Sequence, residues 1–384
     1  MDFSIPTELS LVQGTVRRFV ETELGPLEDE VDRADDIAPA VMQALRDRAV
    51  AIGLYGFNIP AELGGGGLDP LGEALIGEEV GRTSMPLAEA VGRLPGSLVF
   101  SSPSQREWLL NPALTAQITL CVALSEPDAG SDLSAVRTRA TRDGDGWVLT
   151  GSKQFISNAE TSDYILTLAV TDPEAPLRDR FTVFVVDRTN QGLHFTHRFR
   201  KLGWHGYHIS SFSLDGCRVA ESHVLGEVGK GFEVIMTSVN TQRLFIAARC
   251  VGAARKLLEM ATRYALERRT FGSRLGEHQA IQFMLADMDV EVRAGALLVR
   301  EAAWTAQKNP REFRIAAARA KLYASEMAGR VADTTIQILG GAGFMADYAA
   351  ERMFRDLRGY RIGEGTSEMQ RIQIARHLLD QARQ

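Results

Sequence analysis

Residues 361–371, which read Arg-Ile-Gly-Glu-Gly-Thr-Ser-Glu-Met-Gln-Arg, are the most informative stretch of the chain. Glu364 stands between two glycines, which let the backbone turn sharply and let a ligand approach closely. Ser367 and Gln370 have the spacing of a capping box, so we expect a helix to begin there. A carboxylate just before a helix N-terminus suits a site that abstracts a proton and stabilises developing negative charge. We therefore predict that Glu364 is a catalytic base. For this stretch alone, a solvated glutamate on a glycine turn is the alternative.

The composition is that of a folded globular protein. The 384 residues are 45% hydrophobic and 24% charged with a net charge of −6, which is enough material for two or three lobes. No long block of lysine and arginine indicates a nucleic acid or an anionic membrane as partner. Cys121, Cys217 and Cys250 lie too far apart for a disulfide scaffold or a zinc site, which agrees with a reducing cytosol. The segment Met1–Glu8 has no basic and apolar leader pattern, so we expect a cytoplasmic location.

The spacing of apolar residues divides the chain into three parts. Up to residue 117 the three- and four-residue steps predict helices, and from 118 to 230 short β-branched runs between turn formers predict strands. From residue 231 long helical patterns return, and the stretch 281–306 has the single apolar stripe of a bundle core. We therefore predict an α+β fold with domains at 1–117, 118–230 and 231–384. The predicted strands are 118–124, 147–150, 164–170, 181–186 and 209–214.

Several common catalytic motifs are absent from the sequence. It contains no Rossmann glycine pattern, no P-loop, no nucleophile elbow and no zinc-protease motif. The pairs His194 with His197 and His205 with His208 have no carboxylate or cysteine at ligand spacing. We interpret these histidines as structural or surface residues and predict no metal site.

Three further blocks accompany the Glu364 stretch. They read Leu-Ser-Glu-Pro-Asp-Ala-Gly-Ser-Asp at 124–132, Lys-Gln-Phe-Ile-Ser-Asn at 153–158, and Ala-Leu-Glu-Arg-Arg-Thr-Phe-Gly at 265–272 followed by Glu-His-Gln-Ala-Ile at 277–281. Each alone is compatible with an ordinary turn, strand or helix end. In this order and spacing, over nearly the whole chain, they resemble the acyl-CoA dehydrogenase family of flavoproteins. The resemblance implies a β-barrel-like central domain, a C-terminal four-helix bundle and FAD as cofactor.

The resemblance also implies roles for individual residues. Phe155 would shield one flavin face, the hydroxyl of Ser157 would bond to flavin N5, and Arg268 would bind the pyrophosphate of the neighbouring subunit's FAD. The implied cofactor contacts are Leu124, Ser125, Gly130, Ser131, Phe155, Ser157, Arg268, Thr270, Phe271, Gln279, Gln337, Gly340, Gly341, Thr366 and Glu368. The implied substrate contacts are Ser131, Asn240, Arg243, Gly363 and Gly365.

The implied reaction is α,β-dehydrogenation of an acyl-CoA to the trans-2-enoyl-CoA. Glu364 would remove the α-proton while the β-hydrogen passes as hydride to flavin N5, and the N–H of Glu364 with a ribityl hydroxyl would hold the thioester oxygen. Some family members place the base near 240–243, but Asn240 and Gln242 are amides, which favours Glu364. Gly363 replaces a tyrosine that many straight-chain enzymes carry, so we predict tolerance of branched, cyclic or bulky acyl groups.

The sequence leaves three functions open. The leading one is a dehydrogenase that passes electrons to an electron-transfer flavoprotein. The others are a related flavin oxidase that uses oxygen and a non-catalytic subunit of a heteromeric assembly. The implied cross-subunit cofactor site predicts a homo-oligomer. We expect a homotetramer built as a dimer of dimers, with a dimer as the alternative.

Overall fold

The computed structural model of the protein describes residues 4–383. Residues 1–3 and 384, which the predictions for the N-terminal segment and for the two outer domains include, lie outside this range. The α-helices are α1 Thr7–Phe19, α2 Glu28–Ala34, α3 Pro39–Ala51, α4 Pro70–Val80, α5 Met85–Ala88, α6 Pro103–Gln105, α7 Asn111–Leu114, α8 Gly231–Glu267, α9 Gln279–Lys308, α10 Pro310–Leu339, α11 Gly341–Phe344, α12 Ala349–Gly359 and α13 Ser367–Gln381.

The strands lie between the two helical parts. They are β1 Leu120–Ala123, β2 Arg139–Asp143, β3 Gly146–Ser157, β4 Tyr164–Val170, β5 Phe181–Asp187, β6 Leu193–Arg198, β7 Ile209–Ala220 and β8 Val224–Leu225, with a short pair β9 Arg269–Thr270 and β10 Ser273–Arg274. The large sheet has the order β6-β7-β3-β2-β4-β5-β8, and β1 joins it by pairing with β4. The predicted α+β class and its order of helical, β and helical parts are confirmed.

Local chemistry explains the main elements. Asp143 pairs with Gly146 across a two-residue hairpin turn in which Gly144 has φ 62°, a value that favours glycine. Asp69 caps α4 by accepting a 2.7 Å hydrogen bond from the amide of Gly72, and Pro70 fits the first helical position. Along β7 buried and half-exposed positions alternate, so one face of this strand packs into the core as expected.

The C-terminal helices form the frame behind the site. Helix α10 packs against α8, α9, α12 and α13. Its inward positions are mostly alanines, which allow the neighbouring backbones to approach closely, together with Met327 and Val331. The predicted helix at 281–306 is observed as α9, and Met288, Val292 and Val299 of its apolar stripe are buried. Helix α10 also contacts the loop that carries Glu364.

Candidate active site

The loop between α12 and α13 holds Glu364 in an uncommon conformation. Glu364 has φ 55° and Gly365 has φ 88°, so two successive residues adopt left-handed values. Such a conformation costs on the order of 1 kcal/mol or more for a residue with a side chain, and it persists only where the surroundings impose it. The loop is therefore held by contacts outside itself.

Helix α10 supplies two of those contacts. The buried Lys321 donates a 2.7 Å hydrogen bond from Nζ to the carbonyl of Gly365. Glu326 accepts a 2.7 Å hydrogen bond from the hydroxyl of Ser367 and forms an ion pair with Arg361. The two ends of the loop and its sharpest turn are thus tied to one helix.

The start of α13 differs in detail from the expected capping box. Thr366 is the N-cap, and its hydroxyl accepts a 3.3 Å hydrogen bond from the amide of Met369. Ser367 is instead the first helical residue, because its hydroxyl is used by Glu326. Gln370 donates 2.9 Å from Nε2 to the carbonyl of Gly365. The prediction that Ser367 caps the helix is wrong by one residue. The side chain of Ser367 instead donates a hydrogen bond to Glu326.

Glu364 lies among several cations. The residue retains exposed surface, while protein surrounds its carboxyl group closely enough that desolvation raises its pKa above the usual value. Arg243, Lys321 and Arg93 act in the opposite direction. These cations favour the carboxylate, the form that a general base requires, while the loss of water increases its affinity for a proton.

The buried Arg243 of α8 lines the cleft in front of Glu364. Its Nε donates 3.4 Å to the carbonyl of Glu364, and its Nη1 donates 3.2 Å to each of Asn240 Oδ1 and Gln373 Oε1. Burial lowers the pKa of Arg243, and the Glu364 carboxylate opposes this shift. The predicted substrate contacts Asn240, Arg243, Gly363 and Gly365 therefore come together with Glu364.

The amide of Glu364 is available to a ligand. Among residues 4–383 it donates to no backbone or side-chain acceptor, whereas the preceding amide, that of Gly363, donates 3.0 Å to the carbonyl of Gly359. A free N–H beside a carboxylate is the donor that a thioester oxygen would need as negative charge develops on it.

A second part of the site lies on the sheet. Phe155 has φ 59° at a bulge of β3, keeps 59% of its surface exposed, and packs on Phe199 with ring centroids 4.8 Å apart. Ser157 follows two positions later on the same strand. An exposed flat ring beside a hydroxyl fits a planar ring system that has one polar edge, and this agrees with a flavin.

A buried ion pair joins two of the sequence blocks. Lys153 and Glu126 approach to 2.8 Å, and Lys153 also donates 3.1 Å to the carbonyl of Leu124. Glu126 accepts from the amides of Arg137 and Thr138 at 2.7 and 3.0 Å. Burial lowers the pKa of Lys153 to about 8, although the Glu126 carboxylate opposes that shift. This pair places the 124–132 loop, with the exposed Gly130 and Ser131, beside the strand of Phe155.

Tyr207 connects the two parts, and the sequence analysis assigned it no role. Burial raises its pKa, as do the charges of Glu89 and Glu364, while hydrogen bonding to Ser157 lowers it. The loop of Tyr207 is fixed at the next residue, because the carbonyl of His208 accepts 2.7 Å from the amide of Asn158. The segment that contains Tyr207 therefore packs against the Ser157 end of β3.

The remaining predicted cofactor residues form a separate, exposed group. Arg268, Gln279, Gln337, Gly340 and Gly341 are exposed, as is Glu368 at the start of α13. Phe271 is fully exposed at φ 50°, and the hydroxyl of the half-buried Thr270 lies 3.1 Å from His278 Nε2. Of the predicted cofactor residues, Thr366 and Glu368 adjoin the Glu364 loop in sequence.

In the range that the structure describes, no three His, Cys, Asp or Glu side chains are grouped to hold a metal ion. Over the same residues, no helix combines the length and apolar character that crossing a membrane requires. Cys121, Cys217 and Cys250 are buried free thiols.

Comparison with known proteins identifies relatives along the whole length. Models of the acyl-CoA dehydrogenase N-terminal, middle and C-terminal domains match residues 6–117, 121–217 and 229–379. The probable acyl-CoA dehydrogenase YngJ of Bacillus subtilis is 36% identical over 99% of this chain and 100% of its own length.

Solved structures give the same result. Butyryl-CoA dehydrogenase from Megasphaera elsdenii has a TM-score of 0.90 at 30% identity, covering 99% of this chain and 100% of its own. A chain from a structure described as the electron transferring flavoprotein of Acidaminococcus fermentans has a TM-score of 0.92 at 31% identity, covering 99% and 100%.

Proposed function

Because the chain belongs to the acyl-CoA dehydrogenase family, a family of flavin-dependent oxidoreductases, we propose that it binds FAD and oxidises an acyl-CoA to the trans-2-enoyl-CoA with Glu364 as the base. The observation that carries the proposal is the Glu364 loop, which combines a carboxyl group whose pKa is raised by desolvation, three cations that oppose this shift and a free amide. The division into domains at 1–117, 118–230 and 231–384 is part of the same proposal.

Each residue of the cleft has a task in this reaction. Glu364 accepts the proton of the α-carbon, and its own N–H donates to the thioester oxygen, where negative charge develops. Arg243 and Lys321 keep Glu364 ionised before the transfer and orient the loop through its carbonyls. FAD, when bound, supplies the acceptor for the β-hydrogen, which leaves as hydride.

The cofactor contacts divide between two surfaces. We assign Leu124, Ser125, Gly130, Ser131, Phe155, Ser157 and Thr366 to the surface around the cleft. We assign Arg268, Thr270, Phe271, Gln279, Gln337, Gly340, Gly341 and Glu368 to contacts that a second copy of the chain completes. The full exposure of Phe271 and the 76% exposure of Phe344 support an interface, because large exposed apolar side chains mark association surfaces. A homotetramer in the cytoplasm, with an electron-transfer flavoprotein as acceptor, completes this proposal.

Anaerobic reduction of bound FAD by acyl-CoA thioesters tests the function. The native enzyme should bleach on addition of a suitable thioester, and Glu364→Gln should bind FAD but bleach at least about 100-fold more slowly, since a general base contributes on the order of 10² to 10⁴. Bleaching by Glu364→Gln at the native rate would remove Glu364 from the role. Peroxide formation in air during turnover would favour the oxidase, and absence of FAD from the purified native chain would favour the non-catalytic subunit.

A further inference from the structure

A polar wall lies beside the cleft of Glu364. A cavity between the N-terminal helices and the sheet is lined by Arg46, Tyr55, Glu89, Arg93 and Asn158, among others. Asn158 follows Ser157 directly, and Arg93 is one of the cations that act on Glu364. The cavity therefore adjoins the position that the proposed function gives to the reacting carbons.

Arg249 of α8 lies behind this wall with part of its guanidinium unpaired. Its side chain is 3% exposed, and its Nη1 approaches Glu89 Oε1 at 3.5 Å. Its Nε and Nη2 are buried without a hydrogen-bond partner, and the nearest aromatic rings, Phe245 and Tyr360, lie 6.0 and 5.8 Å away. A buried charged donor without an acceptor is unusual in a folded protein, because its desolvation is not compensated.

Of the two other arginines in this region, Arg46 also lacks an acceptor and Arg93 does not. Arg46 Nε is also buried and unpartnered. Arg93 is satisfied, since it donates 2.7 Å to Gln242 and pairs with Glu73 at 3.2 Å. The charges of Glu89, Arg249 and Glu364 all act on the pKa of Tyr207. The three unpartnered atoms are all N–H donors, so the group that is missing from the wall is an oxygen acceptor.

We propose that the acyl group of the substrate carries an oxygen beyond the β-carbon, as a hydroxyl, keto or carboxylate group, and that Arg249 and its neighbours Glu89 and Arg46 recognise it. This inference rests on the proposed function. A plain hydrocarbon chain in this pocket would leave the guanidinium donors unpaired, whereas an oxygenated chain satisfies them. The polar wall thus selects among acyl groups and takes no part in the transfer of the α-proton.

A panel of four six-carbon thioesters tests this selectivity. Hexanoyl-CoA is compared with its analogues that bear a hydroxyl or a keto group on the fifth carbon, and with the monothioester of hexanedioic acid. The limiting rate of flavin reduction and the apparent Kd are measured anaerobically for each. We expect at least one oxygenated thioester to bind about tenfold or more tightly than hexanoyl-CoA, the effect expected of pairing one buried charged donor. The preferred analogue identifies the oxygen chemistry.

Variants separate recognition from folding. Arg249→Met should remove the preference by raising the Kd of the oxygenated thioester by a larger factor than that of hexanoyl-CoA. Arg82→Met, which changes an arginine paired with Glu259 away from this wall, should keep the preference. If Arg249→Met does not fold, Glu89→Gln with Arg249→Met removes both charges and serves instead.

Two results would overturn this inference and leave the proposed function unaffected. The first is that the native enzyme binds hexanoyl-CoA with the same Kd as each of the three oxygenated analogues. The second is that the Arg249 variant raises the Kd of all four thioesters by the same factor. If none of the four reduces the flavin of the native enzyme, the proposed function fails and this inference fails with it.

Discussion

The Glu364 loop, predicted to be catalytic, and the Arg268–Gly272 surface, predicted to bind the cofactor, differ in how complete they are within one chain. The loop is held within the chain by hydrogen bonds from Lys321 and Gln370 to the carbonyl of Gly365 and from Ser367 to Glu326. Arg268 and Phe271 are exposed, and Phe271 has no surface covered. One chain therefore builds the proposed proton-transfer site by itself but presents part of the proposed cofactor site on its surface.

The largest effect is expected from the buried Glu126–Lys153 pair, which joins the 124–132 loop to strand β3. Glu126→Ala leaves Lys153 buried without its partner, which should lower the free energy of unfolding by about 3–5 kcal/mol. Asp128→Ala, which breaks an exposed pair with Arg137, should change it by less than about 1 kcal/mol. Chemical denaturation measures both. Equal, small effects would show that the Glu126–Lys153 pair does not hold the two blocks together.

The second prediction concerns the outward surface. Arg268→Ala should leave the unfolding free energy of the FAD-free chain within about 0.5 kcal/mol of native, because an exposed residue far from special features contributes little. The same change should weaken FAD binding by roughly tenfold or more, the value of one charge-assisted hydrogen bond. Titration of the FAD-free protein with FAD measures this. Unchanged affinity in the oligomer would remove Arg268 from the cofactor site.

A smaller effect is expected from the cation beneath the loop. Lys321→Met removes a positive charge that lowers the pKa of Glu364, so the pKa of Glu364 should rise and the acid limb of the flavin-reduction rate should move to higher pH. Lys321→Arg should keep the native profile if it can reach Gly365. Identical profiles for native and Lys321→Met would show that Lys321 does not act on the base.

Lys321 also gives a stability signature that does not depend on the cofactor. Burial lowers its pKa to about 8, so between about pH 8 and the ordinary lysine value of 10.5 the unfolded chain binds a proton that the native chain has lost. The stability of native protein relative to Lys321→Met should therefore rise with pH in this window. Thermal unfolding at several pH values measures the difference.

The smallest effect concerns Gly363. A Cβ placed there would lie 3.7 Å from the carbonyl of Gly359 and 4.0 Å from Trp204, which are ordinary contacts. Gly363→Tyr should fold and should lower activity on branched relative to linear thioesters by filling the space beside the α- and β-carbons. A rise in that ratio would contradict the predicted tolerance of bulky acyl groups.

Most of the architecture followed from apolar spacing, and the misses have physical causes. Strand β4 was predicted with its observed bounds because it is apolar except at Thr167 and is buried on both faces. Strands β2 and β6 were missed because nearly all their residues are exposed, which leaves no alternation to detect. The strand predicted at 147–150 is longer, since polar residues after it pair with β7 across two bulges.

The site was predictable where a motif carries it and not where packing creates it. The glycines around Glu364 indicated the turn, but nothing local indicated the left-handed φ of Glu364 itself. Lys321 interrupts an alanine-rich helix at an inward position, and this isolated charge on an apolar face was a usable signal. Tyr207 and Arg249 lie on a loop and a helix that are distant in sequence, so no local pattern could indicate that both act near Glu89.

The role of Glu364 is tested most directly by separating proton removal from hydride transfer. The thioester 3,3-dimethylbutanoyl-CoA has α-hydrogens but none on its β-carbon, so it can lose a proton and cannot be dehydrogenated. In deuterated water the native FAD-loaded enzyme should exchange its α-hydrogens, as followed by mass spectrometry, and Glu364→Gln should not. Exchange by Glu364→Gln at the native rate would contradict the assignment of the base.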